Sequence, residues 1–292
     1  MNALLYLSVV LIWGTTWIAI TVQSHHAEPL IAIFWRFTLA ALCLWVILLL
    51  SGRLKKLSRR DHFFCLLQGA CVFSLNFLCF YTAVQYINSG LESVIFSMAV
   101  LFNAINAYLF FRQSPPPTFK WAAPVGLFGI ILLFWHDLSS QAHNWSTLKG
   151  IALCALGTYF FSLGNMLSLR HQRNKLDVFS TNAYAMAYGV VLLFIAIQAS
   201  GQTLYWPDTP SFTWATLYLA IPGSVIGFSA YFLLIGRIGT AKAAYSTLLF
   251  PLVALSISTV WEHYQWYASN IAGLLLILLG NFLMFAKKPS LR

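Results

Sequence analysis

Charge is scarce in this chain. Only 8% of its 292 residues are Asp, Glu, Lys or Arg, against roughly 25% in a soluble globular domain, which excludes an ordinary cytosolic enzyme. Acids are scarcer still, 7 against 17 Lys and Arg. The five cysteines, Cys43, Cys65, Cys71, Cys79 and Cys154, include no Cys-x-x-Cys pair and no histidine at metal-ligand spacing. They are expected to be apolar fillers, with no metal and no cofactor. There is no Walker sequence, so ATP does not drive the protein directly. His62, His136, His171 and His263 lie near the ends of apolar stretches without forming a His-x-x-x-His pair. The adjacent pairs His136-Asp137 and Glu262-His263 would point about 100° apart on a helix. No basic region precedes the first apolar stretch, Ala3 to Val22, so a retained span is expected there and not a cleaved signal peptide.

What is abundant is apolar sequence, 60% of the chain. A spanning helix takes about 20 such residues, so ten would use roughly 200 positions and leave short connections. Breaks at polar, proline-containing or charged positions place spans near 3–22, 29–50, 62–84, 89–111, 119–136, 148–169, 178–199, 211–235, 242–261 and 268–286. The expected fold class is an all-α integral membrane protein of ten transmembrane helices with no extramembrane domain. Of the 17 basic residues, Lys149 alone falls in the loops of one side and Arg36 alone falls inside a span; the rest lie in loops and tail of the other side. The positive-inside rule then makes that side, with both termini, cytoplasmic. The net charge of +10 is a topology signal, and no nucleic-acid partner is expected. Glu28, Glu92, Asp137, Asp208 and Glu262 fall at the outer face.

Residues 80–104 can be laid over 231–255 at constant offset: Phe80-Tyr81 on Tyr231-Phe232, Ile87 on Ile238, Ser89-Gly90 on Thr240-Ala241. A slightly smaller offset lays Trp13-Gly14 over Phe161-Ser162. Ten spans thus divide into five and five, residues 1–136 and 147–292. Because five is odd, the second unit enters the membrane from the opposite side, giving two inverted five-helix repeats, an arrangement in which a substrate site lies between the halves near the midplane.

Trp13-Gly14-Thr15-Thr16-Trp17, Trp35-Arg36-Phe37-Thr38-Leu39-Ala40, Phe80-Tyr81-Thr82-Ala83-Val84 leading to Ser89-Gly90, and the Gly273-to-Gly280 helix together resemble the EamA family of the drug/metabolite transporter superfamily. The resemblance covers nearly the whole chain. It implies an inner-membrane carrier, often an exporter of amino acids, other metabolites or toxic compounds. Two departures stand out: the family's frequent Gly-Glu-Arg after the fourth span is Phe111-Arg112-Gln113 here, and its proline in that span occurs only in the second half, as Pro251.

In the fourth span Glu92, Phe96, Ala99, Asn103 and Asn106 share one helical sector. Its carboxamides and carboxylate are costly against lipid, so the sector either lines a cavity or makes bonds between helices. The adjacent sector, Ser93, Ser97, Val100, Ala104 and Ala107, has the small residues of close helix packing. Trp13, Thr16, Asn76, Tyr81, Ala99, Asn103, Tyr159, Ser162, Tyr231, Tyr245 and Ser246 are the candidate cavity residues. Pro222-Gly223 interrupts the eighth span as a kink or hinge. Arg36 lies seven residues past Pro29, about 10 Å below the outer interface by helix rise. It can snorkel back to the headgroups, pair with Glu92 or Glu262 as an outer gate, or bind a substrate carboxylate.

These residues point to a secondary transporter, in the family's manner an exporter, that moves small amphipathic metabolites, amino acids or drug-like compounds, by alternating access. Its partners would be the solute, the lipid bilayer and, for coupling, a proton at Glu92 or Glu262 or an exchanged solute. A lipid-modifying membrane enzyme and a lipid-translocating carrier of the same architecture are the alternatives.

Overall fold

The computed structural model describes residues 2–139, 144–244 and 246–283, and their regular structure is all helical. The long segments are α1 (Asn2–Ser24), α2 (Pro29–Leu50), α3 (Arg59–Ala83), α4 (Ser89–Phe111), α5 (Phe119–Leu133), α6 (Asn144–Arg173), α7 (Val178–Ala199), α8 (Pro210–Thr240), α9 (Ser246–Trp261) and α10 (Ala268–Leu283). A short helix, Trp135–Ser139, follows α5.

Seven of these are long and apolar enough to cross a membrane; α5, α9 and α10 are shorter apolar helices. The 15 residues of α5 extend only about 22 Å at 1.5 Å per residue, below a hydrocarbon core of about 30 Å. Ten spans were expected, and the short ones have local causes. Pro115, Pro116 and Pro117 delay the start of α5, and a turn at Phe134 ends it before residue 136. Gly239, at φ 83° and ψ 161°, breaks the run between α8 and α9 in a conformation that suits only glycine.

Side chains set several starts. Asn88 accepts from Gly90 N at 2.9 Å at the head of α4, Ser58 from Asp61 N at 3.2 Å at the head of α3, and Asp177 from Ser180 N at 2.8 Å at the head of α7. Each satisfies an amide that the first turn leaves without an intrahelical partner.

The helix ends meet in two separate layers. In one, Lys149 bonds Tyr86, His26 meets Ser211, and Ser89 bonds Glu262. In the other, Lys55 N bonds Ser180, Arg170 bonds Asp61, and Asn2 accepts from Arg237. Successive helices therefore run up and down through the bundle, and both ends of the described chain lie in the second layer, which is also the basic one.

Helix pairing follows a rule of exchange. α5 packs on α10 and α2 on α7; α1 packs on α8 and α9, as α6 packs on α3 and α4; α2 packs on α8, as α7 packs on α3. The third helix of each half also carries a π-helical turn, Cys71–Leu75 in α3 and Leu219–Ile226 in α8. A π turn frees a carbonyl from the i→i−4 ladder, and in both cases a serine takes it: Ser74 Oγ donates to Gly69 O at 3.2 Å and Ser224 Oγ to Leu219 O at 2.8 Å. A freed carbonyl in hydrocarbon without a donor would be costly.

Candidate functional site

One stripe of α1, Trp13, Thr16, Trp17, Ile20 and Gln23, has the i, i+3, i+4, i+7 spacing of a single helix face, and all five residues are buried. It faces a central cavity that is completed by Arg36 of α2, Asn76, Phe77 and Phe80 of α3, Phe96 of α4, Phe161 of α6, Phe228 of α8 and Phe250 of α9. Seven helices contribute, drawn from both halves of the chain. The cavity measures about 30 Å³, space on the scale of one or two water molecules, because aromatic rings fill it. Trp17 stacks on Phe250 at 6.1 Å, and Phe96 packs against Phe161 at 4.6 Å.

Arg36 occupies one wall of this cavity. Its Nε donates to Ser224 Oγ at 3.1 Å and its Nη1 to Tyr81 Oη at 3.4 Å. Tyr81 in turn donates to Gln23 Oε1 at 2.6 Å. The Gln23 amide donates to Ala32 O at 3.1 Å and to Thr216 Oγ1 at 2.7 Å. The guanidinium also lies 4.2 Å from the Phe77 ring centre, a cation–π contact. Four helices, α1, α2, α3 and α8, are tied through this one side chain. Within the π-helical stretch of α8, the Gly223 carbonyl accepts from Trp13 Nε1 at 3.1 Å.

The profile of the EamA-like transporter family matches residues 1–135 and 148–286. The chain belongs to this family.

Similar proteins extend over the full length of this EamA-like chain. An uncharacterized transporter, YoaV of Bacillus subtilis, is 25% identical over 281 residues, covering 95% of this chain and 94% of its own. The uncharacterized inner membrane transporter YedA of Escherichia coli is 26% identical over 286 residues, 95% of this chain and 90% of its own. Protein PagO of Salmonella typhimurium is 24% identical over 290 residues, 96% of this chain and 91% of its own. A solved crystal structure superposes with a TM-score of 0.71 at 15% identity, over 97% of this chain and 95% of its own, which establishes the fold. The EamA-like chain is therefore a multi-pass membrane protein with a transporter's architecture.

Of the expected cavity residues, Trp13, Thr16 and Asn76 line the cavity, and Tyr81 stands behind Arg36. Tyr231 packs its ring, tilted, against Trp13 at 4.9 Å. The others are placed elsewhere. Asn103 accepts from Asn165 Nδ2 at 3.2 Å, and Asn106 donates to Ser162 Oγ at 2.9 Å. The polar sector of α4 is thus bonded to α6, and Ala99 is buried in the same contact region, outside the cavity wall. Tyr159 packs its ring on Phe102 at 5.6 Å. Ser246 donates to Ala243 O at 2.8 Å, just ahead of the start of α9. Tyr245 lies outside the described residues.

The expected pairing of Arg36 with an outer acid does not form. Glu262 accepts from Ser89 Oγ at 2.6 Å and from Thr21 Oγ1 at 3.4 Å, tying α1, α4 and the end of α9 together. Glu92 is fully buried, with neither carboxylate oxygen hydrogen-bonded. The snorkelling alternative for Arg36 also fails, since the side chain is 2% exposed and points into the bundle. Sequence inspection missed Gln23, Thr216 and Ser224. The α1 stripe was the available signal for Gln23; Thr216 and Ser224 carry none, because their role depends on how α8 is rotated by its π turn.

Proposed function

We infer that the chain is a secondary transporter that carries a small amphipathic organic solute, such as an amino acid or drug-like metabolite, out of the cell by alternating access around the Arg36 cavity. It performs no covalent chemistry. The two halves, residues 1–136 and 147–292, act as inverted five-helix units in the inner (plasma) membrane, with the basic layer and both termini cytoplasmic. The observation that carries this reading is the central cavity: a buried cation among aromatic rings where helices of both halves meet. The exchange of packing partners between halves and the paired π turns support the inverted relation. Gln23–Thr216 and Ser89–Glu262 join helices of the two halves in one layer and Arg170–Asp61 at 2.6 Å does so in the other, contacts that alternating access would make and break. Pro222 and Gly223 provide the hinge at which α8 releases.

Purified protein in liposomes should give saturable counterflow of labelled aromatic or branched amino acids well above protein-free vesicles. Background rates across a broad panel of amphipathic solutes, from correctly inserted protein, would overturn the reading.

For coupling, Glu92 is the stronger of the two acids, because nothing bonds its carboxylate in this conformation. The titratable groups in its surroundings are Glu262, Tyr81 and Cys154, whose thiol donates to the Glu92 backbone carbonyl at 3.4 Å. Glu92→Gln should abolish acceleration of flux by an imposed pH gradient while leaving solute counterflow intact. An unchanged acceleration in Glu92→Gln would place proton coupling at another group, and no acceleration in the unaltered protein would point to exchange without protons.

A further inference from the structure

Arg36 puts a full positive charge inside the bundle with, among the described residues, no ion-pair partner of opposite sign. No carboxylate lines the cavity, and among the described residues Arg170 and Asp61 form the ion pair while Arg36 forms none. A guanidinium has five N–H donors. Nε and Nη1 use two of them, on Ser224 and Tyr81. Both acceptors are hydroxyls whose own protons are committed elsewhere, Ser224 to Leu219 O and Tyr81 to Gln23 Oε1. Their lone pairs are therefore fixed toward Arg36, and the arginine is held in place from behind with hydrogens to spare. Gly223 keeps a side chain away from the fork: a Cβ built there would already be in contact with Nη2, at 3.7 Å.

A desolvated charge without a counter-ion is expensive to keep. Its cost is recovered if the solute supplies the missing anion. The aromatic walls by themselves would attract an organic cation; Arg36 reverses that preference, because like charges a few ångströms apart repel strongly where water is excluded.

We propose that this site selects solutes by a carboxylate group, which accepts the spare Nη hydrogens of Arg36 while a flat apolar body lies among Trp13, Trp17, Phe96 and Phe250. Amines and quaternary ammonium compounds that lack a carboxylate are rejected. The proposal rests on the Arg36 cavity being the transport site, and the solute enters when the rings that now fill the cavity separate.

Three probes with one ring and different head groups test it: phenylacetate, its neutral isostere phenylacetamide, and phenethylamine. Binding to detergent-purified protein is measured by thermal shift and tryptophan fluorescence. Phenylacetate should bind at least tenfold more tightly than phenylacetamide, and phenethylamine should not bind; in Arg36→Gln the advantage of phenylacetate should vanish. The proposal is overturned if phenethylamine equals or exceeds phenylacetate, if the advantage survives in Arg36→Gln, or if no carboxylate from acetate to indole-3-acetate binds. Should Arg36→Gln fail to fold, the head-group order in the unaltered protein decides alone. Flux in liposomes separates the two readings. Transport of neutral or cationic solutes without carboxylate binding refutes the selectivity and leaves the carrier standing, whereas carboxylate binding without flux of any solute refutes the carrier.

Discussion

Liposomes carrying Arg36→Ala are expected to show solute flux at the level of protein-free vesicles, from a protein that is at least as heat-stable as the original. The two halves of that result come from one fact. Arg36 is buried without a counter-ion, so the folded protein bears its desolvation, and deleting it removes that burden along with two neutral-acceptor hydrogen bonds. A purely structural arginine behaves in the opposite way, its loss lowering stability and flux together. The flux side follows from the missing anion partner. A charge-assisted bond to a carboxylate contributes about 1.5–3 kcal/mol, roughly tenfold to a hundredfold in affinity, and the carrier also loses the group that orients the solute. Arg36→Lys should retain part of the flux, since an ammonium keeps the charge but not the planar fork. Normal flux in Arg36→Ala would remove Arg36 from the transport cycle. Reduced stability with proportionate loss of flux would assign it a packing role.

How far the sequence carried depends on which coordinate is asked for. Position along the membrane normal was legible, because it is set by where apolar runs start and stop. α2, α4 and α7 have the bounds expected from composition, and Arg36 stands out as the lone cation in a span. Rotation about each helix axis was only partly legible. Glu92 and Glu262 were expected in one outer layer with Arg36, but Glu262 is bonded to Ser89 and Thr21 while Arg36 is bonded to Ser224 and Tyr81, so nearness in depth did not become contact. The polar sector of α4 was found correctly as a sector, and its partners, Asn165 and Ser162 of α6, could not be found, because the choice between a cavity and a neighbouring helix lies outside α4. The aromatic lining was hidden for a different reason. With 24 Phe, 13 Tyr and 11 Trp, rings occur in every long helix, and only packing separates the few that surround Arg36. The π turns were hidden as well. Pro222 marks one of them, but Cys71–Leu75 contains no helix-breaking residue, and its carbonyl is taken by Ser74 without any cue in the pattern.

Gly273→Leu is expected to prevent accumulation of folded, monodisperse protein, with a loss of stability beyond the roughly 1–3 kcal/mol of ordinary overpacking. Helices α5 and α10 are short, and they approach through glycines on both sides. A Cβ on Gly273 would lie 2.6 Å from Gly129 O, one on Gly129 would lie 2.8 Å from Gly273 O and from Ile277 N, and one on Gly280 would lie 2.8 Å from Ala122 O. The obstructing atoms are backbone, so no rotamer change relieves them and the helices must separate. In a membrane little apolar burial is available to hold them together afterwards, because association there depends on close contact and hydrogen bonds. One such bond is already in this seam, Asn270 Nδ2 to Leu133 O at 2.5 Å, and a second, Asn281 Nδ2 to Ser97 Oγ at 3.1 Å, holds α10 to α4. Leu275 on the same helix is 61% exposed, and Leu275→Ala should leave melting temperature and elution profile nearly unchanged. Fluorescence-detected size-exclusion chromatography after a temperature series compares the two. If Gly273→Leu melts within a few degrees of the original, the backbone contact of α5 and α10 does not hold the bundle, and the stabilising force must lie in the α2–α7 and α1–α9 seams instead.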